Sequence, residues 1–175
     1  MKAIVLYRSV SGFTEKYARW IAEDLKADLF DCRDVKPQML SGYVVIIFGG
    51  SLHKGGINGI DIIKRNFKEL AGKRIIIFVT GGSRGGDGMA DTIVNANFSA
   101  DQRAHLRLFY YRGGFNIAKL GIIDKVQMMI KAWGLRQRNA GDLTPDETDL
   151  LAACKVAADG TDRNAIRPLI DHALS

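Results

Sequence analysis

Apolar residues in this chain gather into short runs that alternate with longer mixed stretches. Residues 2–7 (KAIVLY) read as a strand. Residues 43–50 (YVVIIFGG) and 74–80 (RIIIFVT) are nearly continuous β-branched and aromatic runs. Such runs mark strands buried on both faces, as in a parallel sheet. Residues 28–32 (DLFDC) form a weaker strand and 105–111 (HLRLFYY) a fifth. Between the runs the period lengthens. In 14–26, Tyr17, Ile21 and Leu25 recur at i, i+4 and i+8, with Ala18 and Trp20 beside them, which predicts an amphipathic helix. Residues 58–70, with Ile60, Ile62, Ile63, Phe67 and Leu70, carry a second helical pattern, and 90–98 a shorter third. The link 33–42 has room for one helical turn, not a full helix.

The order β-α-β-β-α-β-α-β predicts an α/β domain, because parallel strands need crossover connections. After the fifth strand the pattern changes. Residues 117–137 form a long helical candidate. A further helix over 144–158 opens on Thr144-Pro145-Asp146-Glu147: an N-cap, a proline at the first helical position and a glutamate three residues after the cap. A last helical segment lies in 163–173, where Pro168 either opens the helix or kinks it.

A length of 175 residues suits a single domain over 1–175, with the added helical segment at about 113–160. The apolar fraction of 47% and charged fraction of 25% fall in the globular range, which argues against bulk disorder. Cys32 and Cys154 match no metal or redox spacing, so a reduced cytoplasmic protein is the simplest expectation. No secretory pattern opens the sequence, and no apolar run is long enough to span a bilayer. The net charge of +6 is compatible with nucleic acid, an anionic membrane surface, an acidic small ligand or a plain basic surface. No nucleic-acid module is recognisable, so nucleic acid is not expected as a partner.

The chemistry concentrates in the turn after the first strand, Arg8-Ser9-Val10-Ser11-Gly12-Phe13-Thr14. In open α/β sheets ligands bind beyond the carboxyl ends of the strands. A turn leading into a helix there presents backbone N–H groups to an anion. The hydroxyls of Ser9, Ser11 and Thr14 add donors, and Gly12 permits close approach and positive φ. The absence of G-x-x-x-x-G-K-[ST] excludes a P-loop, and the absence of G-x-G-x-x-G leaves a dinucleotide pyrophosphate unindicated. One glycine with three hydroxyls fits a single phosphate monoester. Alternatively, Ser11 or Thr14 simply caps the helix.

The segment VLYRSVSGFTEKYARWI (5–21) resembles the flavodoxin signature over its whole length: Tyr7, then Ser9, Gly12 and Thr14 in the loop, then Ala18 and Ile21 on the helix. The resemblance implies a flavodoxin-like open parallel five-stranded sheet of order 2-1-3-4-5, with helices on both faces and FMN as cofactor. It implies that Ser9, Val10, Ser11, Gly12, Phe13 and Thr14 hold the flavin phosphate. A second flavin loop would comprise Ser51, Leu52, His53, Lys54 and Gly55, and a third Thr80, Gly81, Gly82, Ser83 and Arg84. YRGGF (111–115) and IIDKVQMM (122–129) are similar to one branch of that superfamily. That branch contains the quinone-linked protoporphyrinogen oxidase (dehydrogenase) of bacteria, in heme biosynthesis. This likeness implies protoporphyrinogen as substrate, quinone as acceptor and peripheral attachment to the inner face of the cell membrane. No catalytic acid or base and no metal ligand is assigned.

The chain also departs from ordinary flavodoxins, which sandwich the flavin ring between aromatics. SLHKGGING and TGGSRGGDG contain no Trp or Tyr. His53, Lys54 or Arg84 would then lie against the ring, while Tyr110, Tyr111 and Phe115 either stack on it or pack in the core; core packing is the simpler reading for Tyr110. Electron-carrier flavodoxins are acidic, whereas here Lys54, Arg84 and Arg112 fall on loops expected at the ligand end. One cation at about 4 Å contributes on the order of 4 kcal/mol at an effective dielectric near 20, before solvation losses. The expectation is a two-electron flavin at a less negative potential than a low-potential carrier.

In the helix over 117–137, Leu120, Ile123, Val126, Ile130 and Trp133 trace one apolar face, broadened by Ile122, Met129 and Lys125. Lys119, Lys125, Lys131, Arg136 and Arg138 make it basic. It can pack on the domain with its lysines solvated, lie on an anionic membrane, or use Met128 and Met129 to form a homodimer. His105 and His172 are expected at a strand start and in a terminal helix, and Asp87 and Asp91 as capping residues. Three functions follow: an FMN oxidoreductase acting on a small molecule, an electron-transfer protein docking a redox partner, or a scaffold that has lost its flavin.

Overall fold

The computed structural model describes residues 2–115, 122–153 and 158–175. β1 (Ala3–Arg8) pairs in parallel with β2 (Asp28–Asp31) on one side and with β3 (Val45–His53) on the other. β3 turns back into the short antiparallel β4 (Gly56–Ile57) and also pairs in parallel with β5 (Arg74–Gly81). β5 in turn pairs in parallel with β6 (Leu106–Arg112). Counted among themselves, the five parallel strands have the order 2-1-3-4-5 expected from the resemblance, and β4 is the one addition.

The continuous apolar runs are explained by burial on both sides. Ile4, Leu6, Ile46, Phe48, Ile77 and Val79 join one core cluster. Their strand neighbours Val5, Val45, Ile47, Ile76 and Phe78 join the other, as the two-residue period of a strand requires. α2 (Asp61–Arg65) and α3 (Met89–Asn97) cover the first face through Ile63 and Ile93. α1 (Phe13–Leu25) and α7 (Arg167–Leu174) cover the second through Tyr17, Ala18, Ile21, Leu169 and Ala173. Pro168 stands in the first turn of α7, so it opens that helix.

Two predicted helical stretches are shorter or tighter in the structure. The pattern over 58–70 yields only the five residues of α2. Asn66 ends it: its side-chain amide donates to the Ile62 carbonyl at 2.7 Å, competing with the helical ladder. Ile63 reaches the core from α2, and Ile60 and Leu70 from the turns on either side of it. The link after β2 holds two 3-10 stretches, Cys32–Asp34 and Pro37–Gly42. A four-residue helix, α4 (Ala100–Arg103), precedes β6 and opens with a Ser99–Gln102 capping box.

After β6 the chain leaves the sheet through β7 (Gly114–Phe115) and returns through β8 (Ala158–Asp159), which pairs antiparallel with it. Between them lie α5 (Ile122–Arg136), a 3-10 turn at Ala140–Asp142 and α6 (Pro145–Ala153). The capping box predicted for α6 is present: Glu147 N–H donates to Thr144 Oγ1 and Thr144 N–H to Glu147 Oε2. Among the described side chains of α5, Ala132 and Leu135 are buried, whereas Val126, Met129, Ile130 and Trp133 are exposed. Val126, Ile130 and Trp133 of the predicted apolar face are therefore turned outward. Lys119, Leu120 and Cys154 lie outside the described residues, and Phe115, Ile122 and Ile123 outside the described side chains. No helix among the described residues is long and apolar enough to cross a membrane.

Candidate functional site

A cleft of about 620 Å³ opens at the carboxyl ends of β1, β3 and β5. Ligand sites commonly fall in the range of about 300–1,000 Å³. Three loops expected from the sequence meet in it. Val10, Ser11 and Phe13 come from the first, Ser51, Leu52 and His53 from the second, and Thr80, Gly81 and Gly82 from the third. The cleft also takes in Asn58 and Gly59 at the end of SLHKGGING, Gly113 and Gly114 of YRGGF, none of them assigned as contacts from the sequence, and Asp61, which lies outside both loops. The clue was the repeated glycine spacing in GGING and RGG, which leaves flat walls.

The first loop is shaped from within. Ser9 Oγ accepts from the Gly12 N–H at 3.0 Å, folding the turn back on itself. Gly12 takes φ 97°, in the left-handed region, and stands at the N-cap of α1. Gly12 offers no side chain to cap that helix, and Thr14 lies within it, so Thr14 is not its N-cap. The first N–H groups of α1 thus stand at the cleft end, where a helix start attracts an anion. Thr14 is buried, and its hydroxyl shares a 2.7 Å hydrogen bond with the hydroxyl of Thr80. It ties α1 to β5.

The remaining predicted residues sit beside the cleft. Lys54 (φ 49°) and Gly55 (φ 83°) form the two-residue hairpin turn between β3 and β4. Gly55 O accepts from Asn97 Nδ2 at 2.8 Å, fixing the hairpin against α3. The hydroxyl of Ser83 lies 2.8 Å from that of Tyr110. Tyr110 packs against Gly81 so closely that a side chain there would overlap its ring. Tyr110 and Tyr111 therefore do not stack over the cleft. Tyr111 is buried face to face with Tyr17, ring centroids 4.8 Å apart, on the α1 side of the sheet.

Arg84 turns to α6. Its Nε donates to Asp149 Oδ2 at 2.8 Å and its Nη2 to Oδ1 at 3.1 Å, while its backbone N–H donates to Asp146. Arg112 donates to the same Asp149 oxygen at 2.6 Å. The hydrogen bond from Arg84, with the added charge of Arg112, holds the Asp149 carboxyl below its ordinary range despite the opposing effect of burial. One carboxylate therefore compensates two of the three cations expected to act on the ligand. Among the described residues no cluster of His, Cys, Asp or Glu could hold a metal ion.

These features fit a flavin mononucleotide: a helix start led by Gly12 for one phosphate, and a slot walled by glycines for a flat ring. An uncharacterized protein of Methanocaldococcus jannaschii is 35% identical over 88 residues, covering 47% of this chain and 55% of that protein. The match thus spans about half the length of that relative. Among solved structures, a flavodoxin from the domain Archaea is similar at 23% identity (63% of this chain, 85% of that one, TM-score 0.41). A WrbA-like flavodoxin from Agrobacterium tumefaciens is similar at 16% identity (98% of each chain, TM-score 0.44). At such TM-scores neither bears on what the chain does. The Flavodoxin_5 family model, described as a flavodoxin domain, matches residues 4–139. The chain belongs to this flavodoxin-domain family, and FMN is the cofactor indicated for it.

Proposed function

We propose that this protein is an FMN-dependent oxidoreductase acting on a small molecule. The observation that carries this reading is the lining of the cleft: among the described residues Phe13 is the one Phe, Tyr or Trp in it. An uncovered ring leaves one face open to substrate. Bound FMN supplies hydride chemistry at its N5. The protein's own residues bind and orient: the Val10–Phe13 backbone at the start of α1 takes the phosphate. The glycine walls admit the ring, and His53, Asn58 and Asp61 offer polar contacts at the mouth. Protoporphyrinogen as substrate and a quinone as acceptor rest on the likeness of 111–115 and 122–129 to one branch of the superfamily.

A second reading, an electron-transfer protein, is favoured by α5. Exposed Val126, Met129, Ile130 and Trp133 lie beside Lys131 and Arg136 on a face suited to a redox partner, a second copy of the chain or an anionic membrane. Cytoplasmic residence, with attachment to the inner face of the membrane, belongs to the same proposal.

The purified protein is expected to be yellow and to release FMN on denaturation. A colourless protein that takes up no added FMN would sink both readings. If flavin is present, anaerobic turnover of protoporphyrinogen with a quinone separates them. Electron exchange with protein partners alone, and no small-molecule turnover, would leave the carrier.

A further inference from the structure

A second and larger cavity, about 1160 Å³, opens at the opposite end of the sheet. It is bounded by the starts of β3, β5 and β6, the turn after α2 and the end of α7. Val45 and Ser51 lie six residues apart on β3, so at roughly 3.3 Å per residue the two cavities are separated by about 20 Å.

Six cations line this cavity: Lys64, Arg65, Lys68, Lys73, Arg74 and Arg107. The fold brings them together. Lys64 and Arg65 occupy the last turn of α2, Lys73 and Arg74 lead into β5, and Arg107 lies at the start of neighbouring β6. Among the described residues none of the six is in an ion pair. Arg74 Nη1 donates to the Ala173 carbonyl at 2.8 Å, and Lys73 Nζ donates to the carbonyls of Ser41 and Tyr43. These bonds fix the two side chains without neutralising their charge. Asp101 is the sole acidic side chain in the lining. The walls between the cations are apolar, formed by Phe67, Leu70, Ile75 and Leu106. The field is felt by His172, whose proton affinity is lowered by burial and then by the charges of Arg74 and Arg107.

Uncompensated positive charge converging on one concavity is costly unless an anion or salt answers it. An apolar floor under a cationic rim selects a ligand with both properties. We propose that this cavity binds a small amphiphilic polyanion, an apolar body bearing two or more phosphate, sulfonate or carboxylate groups. A concavity of this size accommodates a small molecule; a macromolecular polyanion would meet mainly its rim.

The test uses the FMN-loaded full chain and bis-anilinonaphthalene sulfonate, which carries two sulfonates on an aromatic body. Binding is followed by calorimetry and by backbone amide shifts. Saturable one-to-one binding is expected, with shifts at 64–74 and 104–107, unchanged signals at 9–14, and affinity falling as salt rises. Lys68→Glu/Arg107→Glu is expected to weaken binding about tenfold or more while retaining FMN. Pyrophosphate, charged but without an apolar body, is expected to compete more weakly than the dye binds. Undiminished affinity in the charge-reversed protein would overturn the proposal. So would shifts confined to α5, no saturable binding, or a response to polyglutamate alone. Retention of FMN is read separately, so failure here leaves the flavin reading standing.

Discussion

The two ends of this sheet handle positive charge in opposite ways. At the carboxyl end, cations meet carboxylates: Arg8 approaches Asp31 at 3.8 Å, and Arg84 and Arg112 converge on Asp149. At the amino end six cations surround a cavity, and among the described residues none of them is in an ion pair. The net charge of +6 therefore expresses itself most strongly away from the flavin cleft. The sequence reading placed it at the cleft, because Lys54, Arg84 and Arg112 all fall on the right loops. Spacing could not show that Asp149, 65 residues from Arg84 and 37 from Arg112, returns on α6 to meet both. The field that would raise the flavin potential thus loses two of its three sources, and Lys54 sits at a hairpin tip. Replacing Asp149 by Asn would restore that field. Potentiometry of the flavin is expected to show an upward shift that shrinks as salt is added.

The largest stability effect is expected at the carboxyl end, where polar groups are buried in pairs. Thr14→Val strands the Thr80 hydroxyl in an apolar setting and should cost about 1–3 kcal/mol in denaturant unfolding. Thr14→Val/Thr80→Val removes both partners and should recover most of that loss. On the proposal that the backbone at the start of α1 holds the phosphate, the double variant is expected to keep its FMN. A folded double variant without flavin would return Thr14 to the phosphate site.

Next in size is a gain. The Tyr111 hydroxyl is buried with no hydrogen-bond partner among the described residues, and burial pushes its pKa up. Tyr111→Phe keeps the ring stacked on Tyr17 and removes the orphaned polar atom. Stability should rise by about 1 kcal/mol, read as a higher denaturation midpoint at unchanged slope. Smaller still is the amino-end test. Arg107→Glu breaks no ion pair, so stability should move by no more than about 0.5 kcal/mol, upward at low salt as repulsion falls. A clear loss would show that the cationic rim is held together by partners, contrary to the contrast drawn between the two ends.

The parallel strands and most helices were legible from periodicity and local motifs, and the strand order from the resemblance to flavodoxins. Two-sided burial wrote β3 and β5 as continuous apolar runs, and Thr144-Pro145-Asp146-Glu147 announced α6 directly. Within the site, the turn 9–14 was legible as a loop from β1 into α1 with Gly12 at positive φ, because these are local features. Contacts distant in sequence were not legible. The pairing of Thr14 with Thr80, the turning of Tyr111 to Tyr17 and the capture of Arg84 by Asp149 all depend on tertiary neighbours. The early end of α2 depended on one side-chain amide, and the outward face of α5 on what lies beneath it, which apolar spacing does not report.

The smallest effect tests whether exposed pairs near the cleft matter at all. Lys16 Nζ donates to Asp159 Oδ2 at 2.6 Å, joining α1 to β8 where the chain returns to the sheet. Partial burial acts to raise the Asp159 pKa. The hydrogen bonds from Lys16 and Thr161 outweigh it and bring the pKa to about 2. A carboxyl with a depressed native pKa stabilises the fold fully above its unfolded value, about 3.9, and loses that contribution as pH falls through about 2. The pair is half exposed, with 41% and 53% of its two side chains accessible, so solvent screening limits its worth to a few tenths of a kcal/mol. Asp159→Asn should therefore lower stability slightly at pH 7, and its unfolding curve should merge with that of the parent between about pH 4 and pH 2. An undiminished difference at pH 2 would mean that Asp159 acts through the hydrogen bonds its Oδ1 accepts from the Thr161 N–H and hydroxyl and not through its charge. The carboxyl end would then owe its order to hydrogen bonding, with charge pairing only incidental.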